Sequence, residues 1–248
     1  INIDPGHLKI AMTSRSPLGN DVHPDCVEAV RRTADLLSDL GHEVEEAEPE
    51  IDGMELAMSY LTMYFGEVAA ELDGLEAMLG RPARRSDVET ITWTFGLLGR
   101  TLSAKDFVAA IHRWNVFSRE MGRFHQRYDL YLTPTIAIPP PKIGQLNPSA
   151  ADMILLKVVN ALGLGGLLQA TGMMKKMARD SISKMPFTQL ANLTGQPAMS
   201  IPACQNQDGL PIGVQFIAPI NDEARLFRLA SQLEKSRPWG RPGQGGLT

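Results

Sequence analysis

Residues 181–184 read Ser-Ile-Ser-Lys, an S-x-x-K spacing that on a helix sets Ser181 one turn from Lys184, a lysine able to take its proton. Such a pair could supply nucleophile and base for acyl transfer. The companion SDN and KTG elements are missing in any useful order, and Pro186 follows at once, which disfavours a helix through this point. A chance spacing is the expectation. No GxSxG turn is present to raise a serine hydroxyl, and no GxxxxGK loop to cradle phosphates. His7, His23, His42, His112 and His125 form no HExxH or other ligand spacing, and each reads as a surface or capping residue. Glu45, Glu46, Glu48 and Glu50 crowd a strand end and the loop beyond it, where they solvate a surface.

Cys26 and Cys204 are the two cysteines, without a CxxC spacing. They argue against a zinc site or a disulfide scaffold and fit a reducing, cytoplasmic compartment. No cofactor or metal is expected. The 248 residues carry 24 Lys plus Arg against 28 Asp plus Glu, a formal net charge of −4. No basic stripe interleaves with aromatics, so nucleic acid is not an expected partner, and the pairs Arg84-Arg85 and Lys175-Lys176 read as solvated surface. No run reaches the ~18 apolar residues of a membrane span, and no signal-peptide pattern opens the chain. It starts at Ile1, not Met, with strand-like residues a few positions in, which suggests that something precedes it.

The elements that would position any chemistry follow from periodicity. LKIAMT (8–13) reads as a buried strand. His23-Pro24 opens a helix with Val27, Val30, Ala34, Leu37 and Leu40 at helical spacing and Gly41 as the stop; HEVEEA (42–47) is the next strand. Strand–helix–strand implies a crossover unit in an α/β sheet. From Gly53 to about Arg127 the pattern is helical, with capping-box spacings at Ser86/Glu89 and Ser103/Asp106. Phe107, Ala110, Ile111, Trp114, Phe117 and Met121 form a stripe read as core. YDLYLTPT (128–135) is a strand before Pro139-Pro140-Pro141. Residues 142–185, with Gly163, Gly165, Gly166, Met173, Met174 and Met177, read as a mobile or substrate-proximal segment. PFTQLANLT (186–194) reads as a helix stopped by Gly195. AMSIPA and IGVQFIA flank Asp208-Gly209 as a hairpin, with Pro202 demanding an edge or a strand end. Asp222 is placed to cap a last helix with Leu226, Leu229 and Leu233 inward.

Three stretches together, YDLYLTPTIAIPPP, FTQLANLTGQPAMSIP and DGLPIGVQFIA, resemble the C-terminal half of amidase-signature enzymes. The stretch SRSPLGNDVHPDCVEAVRRTADLLSDLGHEVEEAEP resembles the segment that follows that family's catalytic core. Within the family the likeness is greatest to bacterial amidases of the 6-aminohexanoate-cyclic-dimer hydrolase kind, and it runs from about Leu8 to Trp239. It implies the C-terminal part of one amidase domain over 1–248: an α/β fold with a mixed sheet covered by helices and a helical insertion. The parts would be strand–helix–strand at 8–50, a helical region at 53–127 and a sheet-completing region at 128–239. The family hydrolyses amides with a Ser–cis-Ser–Lys triad in a Gly/Ser-rich signature, which does not occur in these residues. No catalytic residue is therefore carried over, and the chain alone is expected to be inactive. The resemblance places Thr188 and Asn192, with Phe187 beside them, on a helix facing the acyl pocket, and Thr133 to Thr135 near its mouth. Each could equally be a satisfied structural polar group. The implied partners are a small amide and an N-terminal amidase core, with a homodimer as a further option. An amidotransferase subunit of the same superfamily and a stand-alone binding module are the alternative readings.

Overall fold

The computed structural model describes residues 3–170, 180 and 182–239. Its contacts divide the chain into two compact units, one of residues 1–54, 115–141 and 181–248, the other of 55–114 and 142–180.

The first unit is built on the expected crossover. Strand β1 (Lys9–Met12) pairs in parallel with β2 (Glu43–Glu46), and helix α1 (Pro24–Asp39) connects them. His23 caps α1 by accepting from the Asp25 N–H at 3.2 Å, while Pro24 occupies the first turn, where no N–H is needed. Strand β3 (Leu130–Pro134) adds in parallel to β1; β5 (Pro211–Ile217) then adds antiparallel to β3, and β4 (Ala198–Gln205) antiparallel to β5. The sheet is therefore mixed, in the order β2-β1-β3-β5-β4. Pro202 lies on edge strand β4 beside a register shift, a position that requires no donor from it.

One sheet face carries Ile10, Leu130, Leu132, Val214 and Phe216. They pack against Val30 and Leu37 of α1 and against Leu226, Leu229 and Leu233 of the last helix, α8 (Glu223–Ser236). Val27, expected inward on α1, is exposed; Cys26 and Ala29 fill that stripe instead. Asp222 precedes α8 but makes no capping bond, because its carboxylate pairs with Arg225 at 2.8 Å. The other face packs Ala11, Tyr131 and Ile217 against Met121 and Phe124 of helix α4 (Ala104–Phe124) and Ala191 of helix α7 (Thr188–Thr194).

The second unit is helical. It holds most of α2 (Gly53–Leu79), then α3 (Thr90–Gly99), the first half of α4, α5 (Ala150–Leu162) and α6 (Gly165–Ala170). Ser103 and Asp106 form the reciprocal bonds of a capping box at the start of α4. Ser86 and Glu89 do not, since α3 begins only at Thr90 and Asp87 ties the preceding turn to Arg81 and to the Arg84 N–H. Part of the stretch 142–185, read from sequence as mobile or substrate-proximal, is helical. Ser149 and Asp152 cap α5 reciprocally, and Gly163 closes it in the left-handed region. Met173, Met174, Met177 and the pair Lys175-Lys176 lie outside the described residues. Among the described residues no helix is long and apolar enough to cross a membrane.

Candidate functional site

Strand alternation sorts the sheet's residues between its faces. Leu130 and Leu132 of β3, Val214 and Phe216 of β5, and Ile201 of β4 all enter the core under α1 and α8. Thr133, Gly213, Gln215 and Ser200 must then point to the opposite face. Register aligns Thr133 with Gln215 and Gln215 with Ser200, so three polar side chains stand in a row across three strands.

Hydrogen bonds tie this row to α7. Gln215 Nε2 donates to Thr133 Oγ1 at 3.2 Å and to the Phe187 carbonyl at 3.3 Å, which holds the start of α7 over the sheet. Thr133 donates in turn to the Pro134 carbonyl at 3.0 Å. The Thr135 and Ser200 hydroxyls share a bond of 2.6 Å, and the Thr135 N–H donates to the Gly213 carbonyl at 3.2 Å. A Cβ on Gly213 would lie 3.0 Å from Ser200 Oγ and 3.1 Å from Thr135 Oγ1. Glycine is the residue that lets the two hydroxyls settle over the strand.

The structure gathers the five residues named from sequence around α7 and β3, but it gives them different roles. Thr133 is 2% exposed and Phe187 4%, so both are packed groups, and the Thr133 hydroxyl is engaged within the sheet. Thr135 and Thr188 are half-buried and Asn192 is exposed. The helix itself is shorter than its sequence suggests, since Phe187 is its N-cap and Pro186 lies outside. Gln189, Ala191, Leu193 and Thr194 form its buried side. Thr188 and Asn192, four residues apart, share a more open one. Among the described residues neither side chain has a hydrogen-bond partner within the chain.

Gln215, Ser200, Gly213 and Gln189 were not singled out from sequence. Gln215 had a signal, a lone amide inside the apolar run VQFIA, but its role depends on which face it occupies. Gln189 is 5% exposed, and its Oε1 has no donor among the described residues.

None of these side chains titrates near neutral pH. Hydroxyls and carboxamides can hold a neutral amide by donating to its carbonyl and accepting from its N–H. Activating a nucleophile needs a base, and among the described residues none is hydrogen-bonded to the Thr135–Ser200 pair. Two titratable groups elsewhere in this unit are shifted by their surroundings. Burial pushes the His125 imidazole down, with its Nδ1 bonded to the Tyr128 carbonyl at 3.0 Å. The Tyr128 hydroxyl, donating at 2.5 Å, holds the Glu45 carboxyl below its usual range. Lys184 meets the loop after β3 through its backbone carbonyl, which accepts from the Ala137 N–H at 2.8 Å; Ser181, the other end of the S-x-x-K match, lies outside the described residues. Among the described residues no group of three or more potential metal ligands occurs.

Comparison with known proteins adds a family to this geometry. A family model described as Amidase matches residues 2–227. The chain is 31% identical over 250 residues to the lipoamidase of Enterococcus faecalis, which covers 97% of this chain and 33% of that protein. It is 30% identical over 242 residues to the 6-aminohexanoate-cyclic-dimer hydrolase of Pseudomonas sp. (strain NK87), covering 96% and 46%. A solved structure of 6-aminohexanoate cyclic dimer hydrolase complexed with substrate matches with a TM-score of 0.81 at 28% identity, over 98% of this chain and 48% of that one. The chain thus spans a third to a half of the length of these relatives.

Proposed function

The chain belongs to the amidase family, and from that premise we propose that it walls the acyl pocket of an amide hydrolase acting on a small linear or cyclic carboxamide. The observation that carries this reading is the row of neutral hydrogen-bonding groups on one sheet face, roofed by α7. Thr188 and Asn192 orient the scissile amide from the open side of α7, and Thr135 contributes at the strand end. Thr133 and Phe187 set the position of these groups by packing and hydrogen bonding. The likeness to a hydrolase of a cyclic amide dimer supports cyclic as well as linear amides as the substrate class.

The bond-breaking residues in this reading are a Ser–cis-Ser–Lys triad on a segment outside these 248 residues, on the same or a separate polypeptide, because no Gly/Ser-rich signature occurs within them. A neutral lysine takes the nucleophilic serine's proton through the bridging serine, the serine oxygen adds to the amide carbonyl, and backbone N–H groups hold the oxyanion. The proton passes to the departing amine, and water then cleaves the acyl-enzyme. The test pairs the chain with a segment carrying the signature and measures hydrolysis of aryl amides and of linear and cyclic 6-aminohexanoate amides. Turnover by the pair, with only background from the chain alone, is the expected result. A folded pair inactive on every amide would overturn the reading.

A further inference from the structure

The helical unit contains a cleft of about 620 Å³ whose lining includes Arg84, Arg85, Ser86, Trp93, Lys157 and Asn160. Its charge is one-sided. Among the described residues three cations line it and no carboxylate does. Sequence alone reads Arg84-Arg85 as solvated surface, but the unit's other arginines show what that surface ordinarily does with a guanidinium. Arg81 holds Asp87 at 2.8 Å, Arg100 holds Asp73 at 2.6 Å, and Arg113 holds Glu55 at 2.7 Å. Among the described residues of this unit, the two arginines without a carboxylate are the two in the cleft. The nearest acid in sequence, Asp87, is already taken by the Arg81 fork and the Arg84 backbone N–H.

The helices behind these charges are tied together. Asn160 is 7% exposed; its Oδ1 accepts from Thr94 Oγ1 at 3.0 Å and its Nδ2 donates to the Thr90 carbonyl at 2.9 Å, which locks α5 to α3 behind the cleft. Arg100 lies over the Trp93 ring, 5.8 Å from its centre, and so fixes the indole that lines the opening. Glu89, the N-cap of α3, makes no side-chain bond to the first turn of the helix.

We propose that this cleft binds a small organic oxyanion, its carboxylate or phosphate group held by Arg84, Arg85 and Lys157 and its apolar or flat body lying against Trp93. Two guanidinium forks beside an ammonium fit the oxygens of such a group, and an aromatic wall favours a ligand with carbon behind the charge. The inference is independent of amide hydrolysis, and it assigns the helical unit a ligand of its own.

The test titrates the full chain with inorganic phosphate, phenyl phosphate, benzoate and, as the uncharged control, benzamide, following tryptophan fluorescence and calorimetry. Saturable binding of at least one aromatic anion is expected, with benzamide silent. The phosphate and carboxylate arms show which oxyanion the site prefers. R84Q/R85Q should weaken binding at least tenfold with an unchanged melting temperature, because neither guanidinium forms an ion pair among the described residues. W93F should abolish the fluorescence response while calorimetry still detects the anion. Salt raised from about 0.02 to about 0.2 M should weaken binding, since an open cationic site is screened within roughly a Debye length of 10 Å. Absence of saturation by every anion, or equal affinity in wild type and R84Q/R85Q, would overturn the proposal. Should R84Q/R85Q lose its fold, K157Q alone must still weaken binding severalfold.

Discussion

The sheet unit and the helical unit treat their polar groups in opposite ways. On one sheet face the polar side chains are neutral and paired with one another, buried in Thr133–Gln215 and open to solvent in Thr135–Ser200. In the helical unit a cleft is lined by exposed cations, of which neither Arg84 nor Arg85 forms a side-chain ion pair among the described residues. The first arrangement suits a ligand that must be oriented without being charged, and its removal should register as lost structure. The second suits a ligand that brings its own charge, and its removal should register only in binding. The contrast shows why burial and pairing are better guides to a polar group's task than residue type.

The widest gap between the units should appear on perturbing their backbones. A Cβ on Gly99 would fall 1.9 Å from the Phe65 carbonyl oxygen, where backbone must yield and no flexible side chain can. Gly99→Ala should cost the helical unit about 3 kcal/mol or more by forcing α2 and α3 apart, measured by denaturant unfolding. On the sheet side, Gln215→Leu removes two donated bonds and strands the Phe187 carbonyl in the interior, so a loss of about 1–3 kcal/mol is expected. Little change in stability there would mean that the row does not hold α7, and the proposed pocket would lose its frame.

A smaller effect, and one confined to activity, is expected from Thr188→Val in the enzyme completed with its catalytic segment. kcat/KM should fall by about 1–2 kcal/mol in activation free energy, the scale of one hydrogen bond to substrate. The melting temperature should hold, because the hydroxyl has no bond within the chain among the described residues. A lower melting temperature with unaltered kinetics would make Thr188 structural and erase the distinction drawn for α7's two sides.

The smallest effect concerns pH. Burial depresses the His125 imidazole in the folded state, so the unfolded chain binds its proton more readily. The stability from keeping it neutral is present above about pH 6.5, the ordinary histidine value, and is lost as pH falls from there toward the depressed folded value. Asp87 in the helical unit behaves as the exposed counterpart. The Arg81 hydrogen bond is the first cause that brings its carboxyl down to about 2, so its contribution persists until pH falls below about 4. Hydrogen exchange between pH 7.5 and 5 should therefore show the sheet unit loosening first, and His125→Asn should reduce that loosening. Equal loosening of both units would show that the histidine is not the group being titrated.

Much of this protein is legible in local pattern. The crossover at β1–α1–β2, the Asp-Gly hairpin, the Leu226–Leu229–Leu233 stripe and the stop at Gly195 all follow from periodicity and turn chemistry, which are properties of a few adjacent residues. The ordered α5 was legible too, through the Ser149/Asp152 capping box, but the small residues and methionines around it obscured that signal. The Ser86/Glu89 spacing misled for the complementary reason. Its turn is decided by Asp87 reaching back to Arg81, a competition that spacing does not reveal.

The sequence by itself therefore determined the elements, their order and the family resemblance, because each is encoded over short spans of chain. Only the tertiary structure decided that Gln215, Thr133 and the Phe187 carbonyl form one network, since strand register brings together residues up to 82 positions apart. It also decided that Arg84, Arg85 and Lys157 line one cleft, with α3 and α5 locked through Asn160. The physical reason is common to both. A hydrogen bond or a charge acts over a few ångströms of space, and only the packing of distant segments sets which residues those few ångströms contain.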